Sequence, residues 1–220
     1  MTRPRLLDLF SGAGGAGTGY SRAGFEVVGV DIAPMPNYPF EFHQGDAIEY
    51  LMEHWREFDA VHASVPCQAS CTLTKGTNKG RQYPQLIPAT RDALDLTGLP
   101  YVIENVQGSQ LRRDLTLCGE MFGLAVIRHR YFELGRWTAV APAHKAHRGR
   151  VAGMRHGEWF TGPYFAVYGE GGGKGSVAEW QAAMGITWTA DRHEIAEAIP
   201  PAYAEHIGAQ LIAHITGRAA

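Results

Sequence analysis

The run Gly12-Ala-Gly14-Gly15-Ala-Gly17, lodged between an apolar stretch and a segment of helical spacing, constrains this chain more than any other feature. Arg5–Phe10 (RLLDLF) reads as a buried strand and Gly15–Ala23 as a short helix. Glycines placed there let the backbone turn sharply and approach a ligand, and the run contains G-x-G-x-x-G. Phe25–Val30 reads as a second strand that ends at Asp31, where a carboxylate can accept bonds from ribose hydroxyls. The pattern fits NAD, FAD or S-adenosylmethionine, and it equally fits a tight strand-to-helix turn. Asp46 also has two readings: an N-cap of the next helix, or an acceptor for an adenine amino group.

Beyond the glycines the alternation continues. Residues 46–57 have helical spacing, with Ala47, Ile48, Leu51 and Trp55 on one face. Residues 58–65 read as a third strand closed by Pro66, Leu86–Leu96 as a helix, and Tyr101–Ile103 and Ile127–Leu134 as further strands. Between them, residues 68–84 form a long proline-, glycine- and threonine-rich loop, a length that is rare unless functional. Strands alternating with helices predict an α/β fold, a doubly wound and mostly parallel sheet with ligands at the carboxyl ends of its strands. From about 135 to 175 the periodicity fails and glycine, histidine and aromatics take over, which predicts a small irregular annex. Ser176–Met184 and Arg192–Ala198 look helical, and Pro200–Ile215 reads as an amphipathic helix with proline in its first turn.

Composition matters chiefly through charge. The chain of 220 residues has a formal net charge of −2, which argues against a general polyanion binder. That average conceals a segment, 128–156, with Arg128, Arg130, Arg136, Lys145, Arg148, Arg150 and Arg155 against Glu133 alone. A second segment, 66–90, carries Lys75, Lys79 and Arg81. One such run is ordinary solvated surface; two in an otherwise acidic chain fit a phosphate-contacting face better. His144, His147 and His156 share the first segment without a cysteine or carboxylate cluster, so no metal is expected. Three cysteines favour a reducing cytoplasm over a disulfide framework. There is no apolar run of membrane-spanning length, and the N-terminus leads directly into a strand-like segment, so neither a membrane span nor a secretory signal is expected.

Two residues carry chemistry at strand ends. Pro66-Cys67-Gln68 places a cysteine just past the third strand, and Glu104-Asn105-Val106 places a carboxylate just past another. In a doubly wound sheet both converge on the cleft of the glycine loop. Cys118, between Leu117 and Gly119, reads as small buried filler, and Cys71 lacks the second pair that zinc would need.

At this point the sequence resembles the DNA (cytosine-5)-methyltransferase family. Asp8-Leu-Phe-Ser-Gly-Ala-Gly-Gly15 is similar to its first motif, Pro66-Cys67-Gln68 to its nucleophile motif and Glu104-Asn105-Val106 to its acid motif. Arg128-His-Arg130-Tyr-Phe-Glu133 resembles its arginine motif, and Ala198-Ile-Pro-Pro-Ala202 its C-terminal motif. The chain departs from the pattern at Val126, where glutamine is usual, and at Glu197, which precedes the C-terminal core in place of Gly-Asn.

The resemblance implies a class I S-adenosylmethionine-dependent methyltransferase fold and methyl transfer to C5 of cytosine in DNA. Cys67 would be the nucleophile at C6 and Glu104 would hold N3 and the exocyclic amine. Asn105 would position that region, with Arg128 and Arg130 orienting Glu104 and the base. Phe10, Gly12, Gly14, Asp31, Asp46 and Pro66 would surround S-adenosylmethionine, while Lys75, Lys79, Arg81, Arg136, Lys145, Arg148 and Arg150 would contact DNA. It divides the chain into a cofactor-binding core, 1–134, a reduced target-recognition region, 135–185, and a C-terminal helix, 186–220, that returns to the core. So small a recognition region implies relaxed specificity, or a homodimer or partner protein that completes the surface. Compact members are associated with phage, so the expected setting is the cytoplasm of a bacterial or phage-infected cell, in restriction-modification or phage DNA modification. Two alternatives stay open: cytosine modification of RNA or a free nucleotide, and a catalytically silent nucleic-acid-binding protein.

Overall fold

Why the strands stack as they do follows from their composition: Leu6, Leu7 and Leu9 of the first strand are all fully buried, so it needs cover on both faces. The structure, a computed structural model, describes residues 2–66, 86–155, 158–168 and 175–217. Seven strands form one sheet: β1 (Arg5–Leu9), β2 (Glu26–Asp31), β3 (Glu41–Gln44), β4 (Ala60–Ser64), β5 (Tyr101–Val106), β6 (Leu115–Leu117) and β7 (Arg130–Gly135). Their order is β3-β2-β1-β4-β5-β7-β6. The first five pair in parallel, whereas β7 runs antiparallel to both β5 and β6. The order reverses between β1 and β4, and a crevice at such a switch point is where doubly wound sheets bind ligands.

Helices cover the two faces. On one lie α1 (Gly15–Ala23) and the C-terminal α6 (Pro201–Thr216), whose Tyr20, Tyr203, Ile207 and Leu211 meet Leu6, Val102 and Phe132. Gly19 and α6 show why small residues are needed: a Cβ on Gly19 would stand 2.2 Å from the carbonyl oxygen of Pro201. The other face takes α2 (Ala47–His54) and α3 (Leu86–Thr97), with Leu51 and Leu94 against Leu7, Val61 and Ile103. The expected face of α2 is correct in kind: Ala47 and Leu51 are buried and Ile48 and Trp55 pack beside them. A third cluster joins α4 (Val177–Met184) and α5 (Arg192–Glu197) to Val126 and Val167. Capping side chains start both helices, Ser176 for α4 and Asp191 for α5.

The doubly wound, mostly parallel sheet is thus as expected, with two strands added. Both β3 and β6 are short edge strands whose three or four residues carry no readable alternation. The segment expected to be irregular contains a small hairpin, β8 (Gly153–Arg155) with β9 (Glu158–Phe160). No helix among the described residues is long and apolar enough to cross a membrane.

Candidate active site

The glycine loop begins with backbone strain. Phe10, at the end of β1, has φ of 54°, left-handed for a side chain that pays for it sterically, and Gly12 follows at 48°. Ser11 N–H donates to Val30 O at 3.1 Å, so the loop stays hydrogen-bonded to β2 as it turns. Asp31 holds it from the next strand, its Oδ2 accepting from Gly12 N–H at 3.0 Å and its Oδ1 from Ala33 N–H at 3.1 Å. Gly14 caps α1 and lies against Tyr38 and Pro39. A Cβ on Gly12, by contrast, would meet nothing within 4 Å, so the loop presents bare backbone to open space. Ile32, next to Asp31, is 71% exposed, an apolar surface beside a carboxylate at the strand end. Asp46 is an N-cap: its Oδ1 accepts from Ile48 N–H at 2.8 Å and Glu49 N–H at 3.0 Å.

Glu104 lies within β5, which runs to Val106 and not to Ile103 as the sequence suggested. Burial pushes its carboxyl pKa up, against the pull of Arg130, then Arg128, then a hydrogen bond from Ser64. Arg130 Nε stands 3.0 Å from Glu104 Oε1, yet that oxygen accepts no hydrogen bond among the described residues, so the contact is ionic. Behind Ser64 runs a buried chain: Ser64 Oγ lies 2.9 Å from His62 Nε2, and His62 Nδ1 lies 3.1 Å from Tyr20 Oη. Burial lowers the His62 pKa to about 3, so its imidazole is neutral.

Asn105 faces the neighbouring strand. Its Nδ2 donates to Val65 O at 2.8 Å and its Oδ1 accepts from Val106 N–H at 2.9 Å. It therefore fixes the backbone that leads into Pro66 and Cys67. Pro66 is the last described residue of that segment; Cys67, Lys75, Lys79 and Arg81, with the rest of the loop 68–84, lie outside the described residues.

Arg128 and Arg130 divide the work expected of both. Arg128 is buried and donates from Nη1 to Val167 O at 2.7 Å and from Nη2 to Ala196 O at 2.5 Å. Its described hydrogen bonds thus tie Val167 and Ala196 to the segment that leads into β7, and its charge acts on Glu104. Of the basic strip, Arg136 donates to Asp95 O at 3.0 Å beyond Gly135, which pairs with Tyr101, at the end of the sheet opposite Glu104. Arg148 is paired with Glu120 at 2.8 Å, while Arg150 and Lys145 are exposed. Arg136 thus lies away from Arg130, because antiparallel β7 carries the chain from one end of the sheet to the other. Sequence reasoning also missed Asp8, fully buried beside Tyr38 Oη at 3.0 Å, and Trp188, whose Nε1–H donates to Ala13 O at 2.7 Å.

Comparison with known proteins agrees with this geometry. The chain is 31% identical over 124 residues to the type II methyltransferase M.XorII of Xanthomonas oryzae, and 29% over 121 residues to M.FnuDI of Fusobacterium nucleatum. The chain resembles the type II methyltransferases. Those matches take in 49% and 50% of this chain but 29% and 34% of the two proteins, so the chain spans about a third of the length of these curated relatives. No family model matches it. In fold it is similar to the Dnmt2 methyltransferase of S. pombe, with a TM-score of 0.63 and 15% identity, covering 97% of this chain and 99% of that one. The methyltransferase EhMeth of Entamoeba histolytica gives a TM-score of 0.60 at 13% identity, covering 99% of both. The fold is similar to that of these two methyltransferases.

Proposed function

We propose that the chain transfers a methyl group from S-adenosylmethionine to C5 of cytosine in DNA, through a covalent adduct between Cys67 and C6. The observation that carries this reading is the adjacent pair at the end of β5. Glu104 presents a buried carboxyl whose pKa is raised, and Asn105 holds Val65 O, two residues before Cys67.

Cytosine C5 is a poor nucleophile. Addition of the Cys67 thiolate to C6 makes an enamine whose C5 can take the methyl group; the C5 proton is then lost and the thiolate is eliminated. Glu104, whose pKa burial raises, donates to N3 as charge develops there. Its Oε1, without a hydrogen bond among the described residues, accepts from the exocyclic amine. Arg130 keeps that carboxyl oriented.

The loop fits the cofactor: bare backbone at Gly12, an apolar surface at Ile32 and the Asp31 carboxylate together suit a nucleoside with ribose hydroxyls and a flat base. When bound, S-adenosylmethionine supplies an electrophilic methyl group. Phe10, Gly12, Gly14 and Asp31 hold it, and Ile32 and Asp46 border its base. Residues 135–185 serve as a reduced recognition region, with Lys145 and Arg150 as exposed cations near phosphates and a second chain or a partner protein enlarging the surface. Lys75, Lys79 and Arg81 serve as DNA-contacting cations, and the target base leaves the stack to react.

The test is incubation with labelled S-adenosylmethionine and duplex DNA carrying 5-fluorocytosine. A covalent adduct that disappears in Cys67→Ala is the expected result. Adducts on RNA or a free nucleotide, with none on duplex DNA, would overturn the DNA assignment. Binding to DNA with no adduct and no label transfer on any substrate would instead point to a silent accessory protein.

A further inference from the structure

Four side chains that the reaction does not use converge where β6 and β7 meet. Cys118 directly follows β6 and His129 directly precedes β7, strands whose ends are joined by the pairing of Leu117 with Arg130. The chain that leaves the far end of β7 returns beside them and delivers His144 and His147. One donor atom from each of the four lies within 4.8 Å of every other. Cys118 Sγ is 3.4 Å from His147 Nε2, and His129 Nε2 is 3.3 Å from His144 Nε2. Zinc bound tetrahedrally at about 2.0–2.1 Å to nitrogen and about 2.3 Å to sulfur sets donor-to-donor edges of roughly 3.3–3.6 Å. Two edges of such a tetrahedron are therefore already at their metal-bound length. The other four edges are no longer than 4.8 Å, so small side-chain shifts close the rest.

We propose that Cys118, His129, His144 and His147 form a structural zinc site that clasps the returning arm of the annex to the core sheet. All four protein positions are taken, so the site is of the closed, structural kind. The thiol proton passes to solvent when the metal binds. A carboxylate near Cys118, Glu120, is held by Arg148 at 2.8 Å and by the hydroxyl of Tyr164, so it does not compete as a ligand. His144 and His147 are close in sequence, whereas Cys118 and His129 are brought to them by the core strands β6 and β7 that they flank. His156, the third histidine of that sequence group, lies outside the described residues.

The test uses untagged protein with Cys67 and Cys71 changed to serine, which leaves Cys118 as the remaining thiol among three cysteines. Elemental analysis after exhaustive dialysis should find one zinc per chain. Replacement by cobalt should give tetrahedral visible bands and a thiolate-to-cobalt charge-transfer absorption. Cys118→Ala should abolish that absorption, and His144→Ala, at an exposed position that leaves the core intact, should weaken metal binding at least about tenfold. Dialysed protein that holds neither zinc nor cobalt would overturn the site. So would a His144→Ala variant that binds cobalt with unchanged affinity and spectrum.

Discussion

Arg130 Nε lies 3.0 Å from Glu104 Oε1, with the two side chains 14% and 7% exposed. Two effects therefore compete at that carboxyl. Burial raises its pKa, and the guanidinium pulls it back, as Arg128 does more weakly.

Removing Arg130 should let burial act with less opposition. In Arg130→Ala the Glu104 carboxyl, followed by carbon-detected NMR, is expected to titrate at higher pH than in the wild type. A titration that stays in place would mean that the pair is geometric only. Glu104→Gln, which cannot deliver a proton to N3, should lower the rate by about 10²–10⁴ with cofactor binding preserved.

Asn105 is expected to act on the nucleophile segment and not on the cofactor. Asn105→Ala leaves Val65 O and Val106 N–H without their partner and should cost about 1–3 kcal/mol of stability. Methyl transfer should slow while the affinity for S-adenosylmethionine, read by calorimetry, stays level. An equal loss of both would show that Asn105 holds the whole crevice.

Asp8 and His62, cross-strand partners on β1 and β4, should pull stability in opposite directions with pH. Burial raises Asp8 from 3.8 to about 8, so between these values the folded chain binds a proton that the unfolded chain has released, and stability falls as pH rises. Burial lowers His62 from 6.5 to about 3, so there the unfolded chain binds the extra proton, and stability falls as pH drops. From about pH 4 to 6.5 the two cancel; from about 6.5 to 8 Asp8 acts alone, at up to about 1.4 kcal/mol per pH unit. Urea denaturation of Asp8→Asn should lose that alkaline slope and reveal the His62 slope below pH 6.5. Parallel curves for variant and wild type would refute this.

Glu133 is a structural member of the arginine motif. It is fully buried, accepts from Arg91 Nε at 2.6 Å and Nη2 at 2.8 Å, and takes Arg112 N–H at 2.9 Å. Burial alone would raise its pKa, but Arg91 and Arg112 outweigh it and hold the carboxyl below the usual range. Arg91→Ala should cost about 3 kcal/mol, because it strands a buried charge. A loss within about 0.5 kcal/mol, the range of ordinary surface substitutions, would rule out the staple between α3 and β7.

The glycine loop, the helix faces and the order of strand and helix were legible because each writes a local period or a local breaker into the sequence. Glu104 and Asn105 were legible as residue types at a strand end, and Asp46 was legible as an N-cap. The direction of β7 was not, since Arg130–Gly135 has the same composition whichever way it runs. From that reversal came the placing of Arg136 at the end of the sheet away from Arg130. The meeting of Cys118 with His129, His144 and His147 was illegible for the same reason: it depends on where strands end in space.

The segment beyond His147 leaves and rejoins the core at one place. It departs beside Cys118 and returns where Phe165 N–H donates to Ala125 O at 2.8 Å and Val167 O receives Arg128. Its neck is closed by Val151 bridging Tyr164 and by Ala152 N–H donating to Tyr164 O at 2.9 Å. A segment with so narrow a neck behaves as a cassette. Its tip can be exchanged or lengthened between residues 152 and 164, and the sheet that carries Glu104 need not register the change.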